Sequence, residues 1–290
     1  MFLVGVALGF VIIFMSQDLV DNRLAQGEQF VTEHPLGRPV TDRLMWERNP
    51  KFLEICAQQG AFVRMGAFQT TLPDPLRGEE ENVAHAANLL AGNVVAPGEV
   101  FSMNARLGPY TKQRGYKDGP IYMGTRVATA AGGGVCKIAS TLFNVVVLAD
   151  LQVVQRHPHG MLVPYVPPGQ DATVAYGVKD LKFKNNTGRP VVIWSETLGN
   201  TLYMAIYGSR VPPKVTWQHT ILKRQKTWTI RRYNPNLQPG EKRVVIPGDD
   251  GLAVRSTLIK EYSNGEIVTQ ELGTWWYNPL PRVIELGPSN

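Results

Sequence analysis

The sequence predicts an α+β fold in which a mixed domain of helices and strands precedes a small all-β domain, behind an N-terminal hydrophobic anchor. Apolar residues recur at helical spacing over 79–92, and an apolar run over 135–151 also reads as a helix. After Pro212-Pro213, the chain reads as short strands separated by turn residues. The hydrophobic content of 43% and the charged content of 19% are typical of a globular chain.

Residues 1–17 carry no charged side chain, and we predict that they form a membrane anchor. The apolar run is shorter than the ~20 residues of a typical span. No Lys or Arg precedes it and no Ala-x-Ala site follows it, which disfavours a cleaved signal. A buried N-terminal helix is the alternative. Residues 18–60 are expected to form a polar stalk that leads into a helical segment.

The first main helix of the mixed domain is expected to begin at position 79. Three glutamates at 79–81 carry negative charge where the helix dipole favours it, and Gly92 ends the helical pattern. Strands are predicted further along this domain, at 163–166, 172–176, 190–194 and 201–207. The all-β domain is predicted to contain strands at 215–217, 227–230, 243–246, 252–258 and 267–272.

A loop between 108 and 120 is dense in glycine and proline, which is typical of a binding rim. Tyr116 would line this rim as a substrate-binding residue. The alternative is that Tyr116 is a packing anchor for the loop.

Three glycines lead through Val135 into Cys136, which opens the second predicted helix. A helix N-terminus favours the thiolate form of a cysteine. The amides of Gly132, Gly133 and Gly134 would be available to hold an oxyanion or a carboxylate. This pattern indicates a reactive thiol, although a glycine-rich turn before a buried structural cysteine would read in the same way.

The segment Arg156-His157-Pro158-His159 follows that helix, so the chain can return its histidines to the neighbourhood of Cys136. A cysteine and a histidine together supply a nucleophile and a base. Arg156 would then pair with a substrate carboxylate. Two alternatives stay open: solvent-exposed loop residues, or a zinc site made from Cys136, His157 and His159.

Only two cysteines occur, which excludes a disulfide framework. A single bridge between Cys56 and Cys136 would form only in an oxidising compartment, and it would leave Cys136 without a free thiol to act as a nucleophile.

The formal net charge of +6 favours anionic partners. The stretch 210–232 holds seven Lys or Arg and no acidic residue. It is either a binding face for an anionic wall polymer or a solvated strand face. No nucleic-acid-binding motif is present.

Several blocks resemble, in order and spacing, the VanW family, which is named after a gene found in some vancomycin-resistance clusters. The resemblance covers roughly 61–208, and a looser one to a G5 domain covers 233–287, which predicts domains at 61–210 and 214–288. The glycines that carry the second resemblance are Gly240, Gly248, Gly251, Gly265 and Gly287. The first is carried by Gly66–Thr70, Pro97–Asn104, Gly115-Tyr116, Gly132–Cys136, Arg156–His159, Gly169–Ala172 and Asp180–Asn185.

The resemblance implies an envelope location and a cell-wall role. Together with the single anchor predicted at 1–17, this would place the protein in the cell membrane with its domains on the extracytoplasmic side. It also implies L,D-transpeptidase chemistry on peptidoglycan stem peptides, which makes 3-3 cross-links without a cofactor. Cys136 would be the nucleophile, and either His159 or His157 would be the base. Asp171 would either orient the histidine or be an ordinary turn residue.

Four positions depart from the family pattern. Lys137 stands where Gln is common, Ala139 begins the run where Ser or Thr is common, Gln155 stands where an acidic residue is common, and Gly160 where Ser is common. Lys137 would either lower the thiol pKa further or disturb a substrate contact. A non-catalytic protein that binds the cell wall or acts as a scaffold is therefore the alternative function.

Overall fold

The computed structural model describes residues 28–31, 34–123 and 126–289. A mixed α/β region is followed by an all-β region, as the sequence predicts. The proposed anchor at 1–17 lies outside the described residues. Among the residues that are described, no helix has the length and the apolar character needed to cross a membrane.

The mixed region contains four α-helices and two short 3-10 helices within the described residues. The α-helices are α1 (Pro50–Gln59), α2 (Glu79–Leu90), α3 (Met103–Leu107) and α4 (Val135–Leu148), and the 3-10 helices are Met45–Arg48 and Lys112–Arg114. The strands that precede the all-β region in the described part of the chain are β1 (Glu28–Val31), β2 (Gly37–Pro39), β3 (Val63–Thr71), β4 (Asn93–Val95), β5 (Val100–Ser102), β6 (Asp118–Met123), β7 (Arg126–Ala131), β8 (Gln152–Gln155), β9 (Lys182–Lys184), β10 (Val191–Leu198) and β11 (Thr201–Gly208). The all-β region adds β12 (Lys214–Gln225), β13 (Thr229–Tyr233), β14 (Lys242–Ile246), β15 (Gly251–Glu261), β16 (Ile267–Tyr277) and β17 (Arg282–Leu286).

A five-stranded antiparallel sheet in the order β2-β3-β11-β10-β4 is the centre of the mixed region. Helices α2 and α4 cover one face of this sheet. Between the helices and the sheet lies the largest apolar cluster among the described residues. Helix α4 is apolar on almost all sides and is enclosed accordingly. It approaches β3 so closely at Gly66 that a Cβ there would lie 2.8 Å from the Val145 carbonyl oxygen.

The other face of this sheet is covered by the segment that precedes β3. Phe52 of α1 contacts the rings of Trp194 and Tyr207 edge-on, and Trp46 donates a hydrogen bond to the Tyr207 hydroxyl at 2.9 Å. Cys56 is buried in the same cluster. Part of the segment assigned to a stalk and helix, 18–60, is thus built into the sheet domain rather than set apart from it.

The all-β region contains two sheets. One is antiparallel, in the order β1-β12-β15-β16, and the other is a three-stranded sheet β13-β17-β14 in which β13 and β17 are parallel. Every strand predicted beyond Pro212-Pro213 is present, and most are longer than predicted. Strand β1, which falls within the predicted stalk, pairs with β12 at the edge of this region.

The two regions share a core. Trp217 and Leu258 of the all-β region are buried in the same cluster as α4, and the Trp217 ring lies 5.8 Å from that of Phe143. At the edge of this contact, Asp150 pairs with Arg210 at 3.2 Å and with Lys260 at 2.7 Å. The contact brings β16 against the irregular segment between β8 and β9.

That segment differs from the prediction. Residues 163–166 and 172–176 are irregular rather than strands. Their backbone groups are bound by side chains of α4 instead of by a ladder: the Ser140 hydroxyl bonds the N–H and the carbonyl of Ala172, at 2.9 and 3.0 Å. Asn144 donates to the carbonyl of Gln170 at 2.8 Å. The segment therefore crosses α4 as a fixed loop.

Candidate functional site

Cys136 is the second residue of α4, and the preceding glycines form the turn that places it there. Gly132 and Gly134 have φ values of 83° and 96°, which favour glycine. A Cβ on Gly133 would lie 2.2 Å from the carbonyl carbon of Gly119 in β6, so this position has no room for a side chain. The sequence pattern thus fixes the start of the helix and holds the thiol in its first turn, where the dipole favours negative charge.

The thiol has three polar neighbours. Its Sγ lies 3.2 Å from the Thr173 hydroxyl and 3.7 Å from the Val174 carbonyl oxygen, and the His159 side chain lies near enough to lower the pKa of the thiol. Cys136 is half-buried, and both cysteines are free. Cys56 lies on the opposite face of the central sheet, which excludes the considered bridge. Burial raises the pKa of the Cys56 thiol to about 11, so this second thiol stays protonated at neutral pH.

His159 connects the thiol to Asp171. Its Nδ1 lies 2.6 Å from Asp171 Oδ2, which leaves Nε2 as the ring nitrogen for Cys136. Its backbone N–H also donates to Asp171 Oδ2, at 2.6 Å. The carboxylate therefore fixes both the position and the ring orientation of His159.

Asp171 is almost fully buried and accepts hydrogen bonds from three side chains. Arg156 Nη2 lies 2.9 Å from Oδ1, and the hydroxyl of Tyr277 lies 2.5 Å from the same oxygen. Burial alone would raise the pKa of the Asp171 carboxyl. The His159 hydrogen bond, the Arg156 charge and the Tyr277 hydroxyl outweigh burial and hold this pKa below its ordinary value. Asp171 is therefore ionised at neutral pH.

The pKa values of the thiol and the imidazole shift in opposite directions. Burial favours the neutral thiol, but the hydrogen bond and charge of His159, together with the Thr173 hydroxyl, lower the pKa of Cys136 below its ordinary value. Burial disfavours imidazolium, but Asp171 and Cys136 raise the pKa of His159 to about 9. The arrangement thus favours a thiolate–imidazolium pair at neutral pH.

His157 lies apart from the thiol. Its Nε2 accepts a hydrogen bond from Gln155 at 2.9 Å, and its carbonyl oxygen accepts one from the Thr173 N–H at 2.8 Å. Of the two histidines that the sequence offers as the base, the geometry brings only His159 to Cys136. The considered zinc site of Cys136, His157 and His159 does not converge, and the described residues contain no group of three or more metal-ligating side chains.

Arg156 does not face a substrate as predicted. Its Nε donates to the Asp171 carbonyl oxygen at 2.7 Å, and its guanidinium lies between the rings of Phe143 and Trp275, 5.1 and 4.6 Å from their centroids. The side chain is 5% exposed. The positive charge of Arg156 is therefore paired with the Asp171 carboxylate.

Other predicted substrate contacts are also occupied within the protein. Lys137 is buried and donates to Glu80 at 3.3 Å and to the Asn200 carbonyl at 2.9 Å. Tyr116 is buried and donates its hydroxyl to the Leu107 carbonyl at 3.0 Å, so it is a packing anchor. The amides of Gly132 and Gly133 donate to Lys117 and Ala130. Neither amide is available to an oxyanion.

Sequence reasoning missed two residues of the site. Thr173, which contacts the thiol, stands only two positions beyond Asp171. Its place in the segment next to Asp171 is the signal that could have identified it. Tyr277 comes from β16, 106 residues after Asp171, and nothing near it in the sequence marks it. Only the docking of the two regions brings its hydroxyl to the carboxylate.

Comparisons with known proteins match two family models to the chain. The model described as VanW like protein matches residues 78–207, and the G5 domain model matches residues 220–289. Over 148 residues the chain is 38% identical to a protein of Bacillus subtilis (strain 168) called "Uncharacterized protein YoaR", covering 51% of this chain and 49% of that protein. Over 119 residues it is 34% identical to "Vancomycin B-type resistance protein VanW" of Enterococcus faecalis (strain ATCC 700802 / V583), covering 39% and 43%.

The chain thus spans about half the length of the curated relatives it matches. Two solved structures also match parts of it. The "IgA1 Protease G5 domain structure" is 24% identical, with 29% of this chain and 100% of that chain covered and a TM-score of 0.18. The "Crystal structure of HP0197-G5" is 17% identical, with 26% and 99% covered and a TM-score of 0.15.

Proposed function

Because this chain carries a VanW domain followed by a G5 domain, we propose that it is a cell-envelope protein that acts on peptidoglycan. Its reaction is acyl transfer between stem peptides of the L,D-transpeptidase type. The observation that carries this proposal is the contact of Cys136 with His159, whose other ring nitrogen is bound by the buried Asp171. Cys136, His159 and Asp171 thus stand in the arrangement of nucleophile, base and orienting carboxylate that supports cysteine acyl transfer.

The first step forms a thioester. The thiolate of Cys136 attacks the carbonyl carbon between an L-centre and the terminal D-residue, and the carbonyl oxygen becomes an oxyanion. The N–H of Cys136 lies in the first turn of α4, where helical amides have no intrahelical acceptor, so it is our candidate oxyanion donor. The carbon–nitrogen bond then breaks, and His159 Nε2 gives its proton to the leaving amine.

The second step restores the enzyme. An amine of a second stem peptide attacks the thioester carbon, and the neutral His159 accepts the proton that this amine loses. The carbon–sulfur bond breaks and Cys136 leaves as a thiolate. One amide bond is broken and one is formed, and the product is a 3-3 cross-link.

Two further parts of the proposal concern location and partners. Residues 1–17 would anchor the chain in the cell membrane and hold both domains on the extracytoplasmic side. The basic stretch 210–232 is a weaker candidate for binding an anionic wall polymer, since three of its cations are already paired. Arg210 pairs with Asp150, Lys214 with Glu261 and Lys226 with Asp250.

The proposal is tested by incubating the full chain with disaccharide-tetrapeptide and measuring cross-linked dimers by chromatography and mass spectrometry. We expect dimers from the wild type and from Cys56→Ala, and none from Cys136→Ala. A Cys136→Ala chain that forms dimers at the wild-type rate would refute cysteine catalysis. Binding to purified wall that is undiminished by Cys136→Ala, without any dimer from the wild type, would favour the non-catalytic function instead.

A further inference from the structure

A cleft of about 510 Å³ opens between the two regions beside His159. The mixed region supplies one wall, which includes His159, Thr173 and Lys179. The all-β region supplies the opposite wall, which includes Trp228 and Asn278. His159 and Thr173 are both neighbours of the Cys136 thiol, so two residues of the cleft wall border the candidate nucleophile.

The chemistry determines which part of a substrate lies in this cleft. His159 has to give its proton to the leaving nitrogen, and proton transfer requires that nitrogen within hydrogen-bond reach of the ring. The residue that carries the leaving nitrogen therefore occupies the space that His159 lines. In a terminal amino acid, a single carbon separates this nitrogen from the free carboxylate, so the carboxylate lies in the same space.

Besides His159, the cleft contains one further cationic residue among its described lining, Lys179. Lys179 closes a tight turn with Ala175, and its carbonyl oxygen accepts a hydrogen bond from Asn104 at 2.9 Å. Gly177 in the turn has a φ of 76°, so the turn conformation favours glycine. The backbone of Lys179 is thus fixed, and the half-buried residue lines the cleft.

The ammonium group of Lys179 has no carboxylate within ion-pair distance among residues 28–31, 34–123 and 126–289. The described lining of the cleft also contains no aspartate or glutamate. A half-buried cation without a counter-charge favours an anionic ligand, and a peptide carboxylate is such a ligand. Trp228, exposed on the opposite wall, offers an apolar surface to the rest of the bound residue.

We propose that the cleft binds the terminal D-residue of the donor stem peptide, with its carboxylate held by Lys179. This inference rests on the proposed function, since it assigns the leaving group of that reaction to the cleft. Lys179 is then a specificity-determining residue: it selects donors that end in a free carboxylate. Trp228 contributes to binding whatever the charge of the terminus.

The test compares two ligands, disaccharide-tetrapeptide with a free terminal carboxylate and the same compound with a terminal carboxamide. Their dissociation constants are measured by calorimetry on the full chain carrying Cys136→Ser, which lacks the thiol. We expect the acid to bind about tenfold more tightly than the amide, as a charge-assisted hydrogen bond allows. The added change Lys179→Gln should abolish this difference, and Lys179→Arg should retain it.

Lys51→Gln is the matched control, because Lys51 is an exposed lysine of α1 on the far side of the sheet. It should leave the preference for the acid unchanged. Equal affinity for acid and amide, no binding of either, or a preference that survives Lys179→Gln would each overturn the inference. Failure of the proposed function gives a different result from failure of this inference. If the proposed function is wrong, the wild-type chain shows no acyl transfer, even if the acid binds more tightly than the amide.

Discussion

The charge of Cys136 depends on its contacts with His159 and Thr173. Without them, burial would keep the thiol neutral, as it does for Cys56. Because His159 holds its proton up to a pKa of about 9, its positive charge persists across neutral pH and favours the thiolate of Cys136. In the proposed reaction, His159 would act first as the acid for the leaving amine and become the base only after that proton is transferred.

We expect alkylation of Cys136 by iodoacetamide to show this charge state. The rate rises with pH as the thiolate forms, and its midpoint should lie below the ~8.5 of a free cysteine. His159→Ala should move the midpoint upward, because burial then dominates. The measurement is peptide-resolved mass spectrometry over a pH series, with Cys56 as an internal control that stays unlabelled at neutral pH. Identical midpoints for wild type and His159→Ala would contradict the ion pair.

The pattern of residues predicted that a histidine of the 156–159 segment would lie near Cys136, without deciding between His157 and His159, and it did not predict the roles of their neighbours. Cys136 and His159 stand in segments joined by a single helix, so local sequence places them together. Arg156 and Lys137 were assigned to the substrate because an unpaired cation is the simplest interpretation of a charged residue beside a nucleophile. Their actual partners, Asp171 and Glu80, come from other segments, and only the tertiary fold shows that both charges are already compensated.

At the scale of elements, helix α4 was predicted well and the segment after it was not. The predicted helix over 135–151 ends at Leu148, and Asp150 adopts a positive φ of 54° that turns the chain. The apolar pattern continues because β8 is also packed against the core. Residues 172–176 alternate like a strand since Ala172 and Val174 are buried, but they pack onto α4 rather than into a sheet. Periodicity reports burial and does not identify the hydrogen-bond partner.

Strand β16 is the element through which the all-β region reaches the site. Tyr277 at its end donates to Asp171 and accepts from the N–H of Gly169 at 2.7 Å. We expect Tyr277→Phe to lower the free energy of unfolding by about 2 kcal/mol, the usual value for a lost hydrogen bond to a charged group. Acyl transfer should also slow, because Asp171 loses a contact that orients it toward His159.

Urea denaturation and the rate of dimer formation measure these two effects. Tyr233→Phe is the control, since Tyr233 is an exposed residue of β13 that loses the same hydroxyl. If Tyr277→Phe and Tyr233→Phe match the wild type in both measurements, the contact between β16 and Asp171 has no role.

For the whole molecule, the all-β region is built into the candidate site. It shares the core through Trp217, encloses Arg156 with Trp275 and bonds Asp171 through Tyr277. The sequence predicted a mixed region followed by an all-β region, because the apolar pattern changes at Pro212-Pro213. It could not predict their docking, since contacts between distant segments leave no local pattern.

The most direct test of the whole account is the intact mass of the full chain after incubation with disaccharide-tetrapeptide, with wild type and Cys136→Ala side by side. The account predicts an acyl adduct on the wild type, with loss of the terminal D-residue, and no adduct on Cys136→Ala. An unmodified wild-type chain, with its thiol shown to be free and the protein folded, would contradict cysteine acyl transfer.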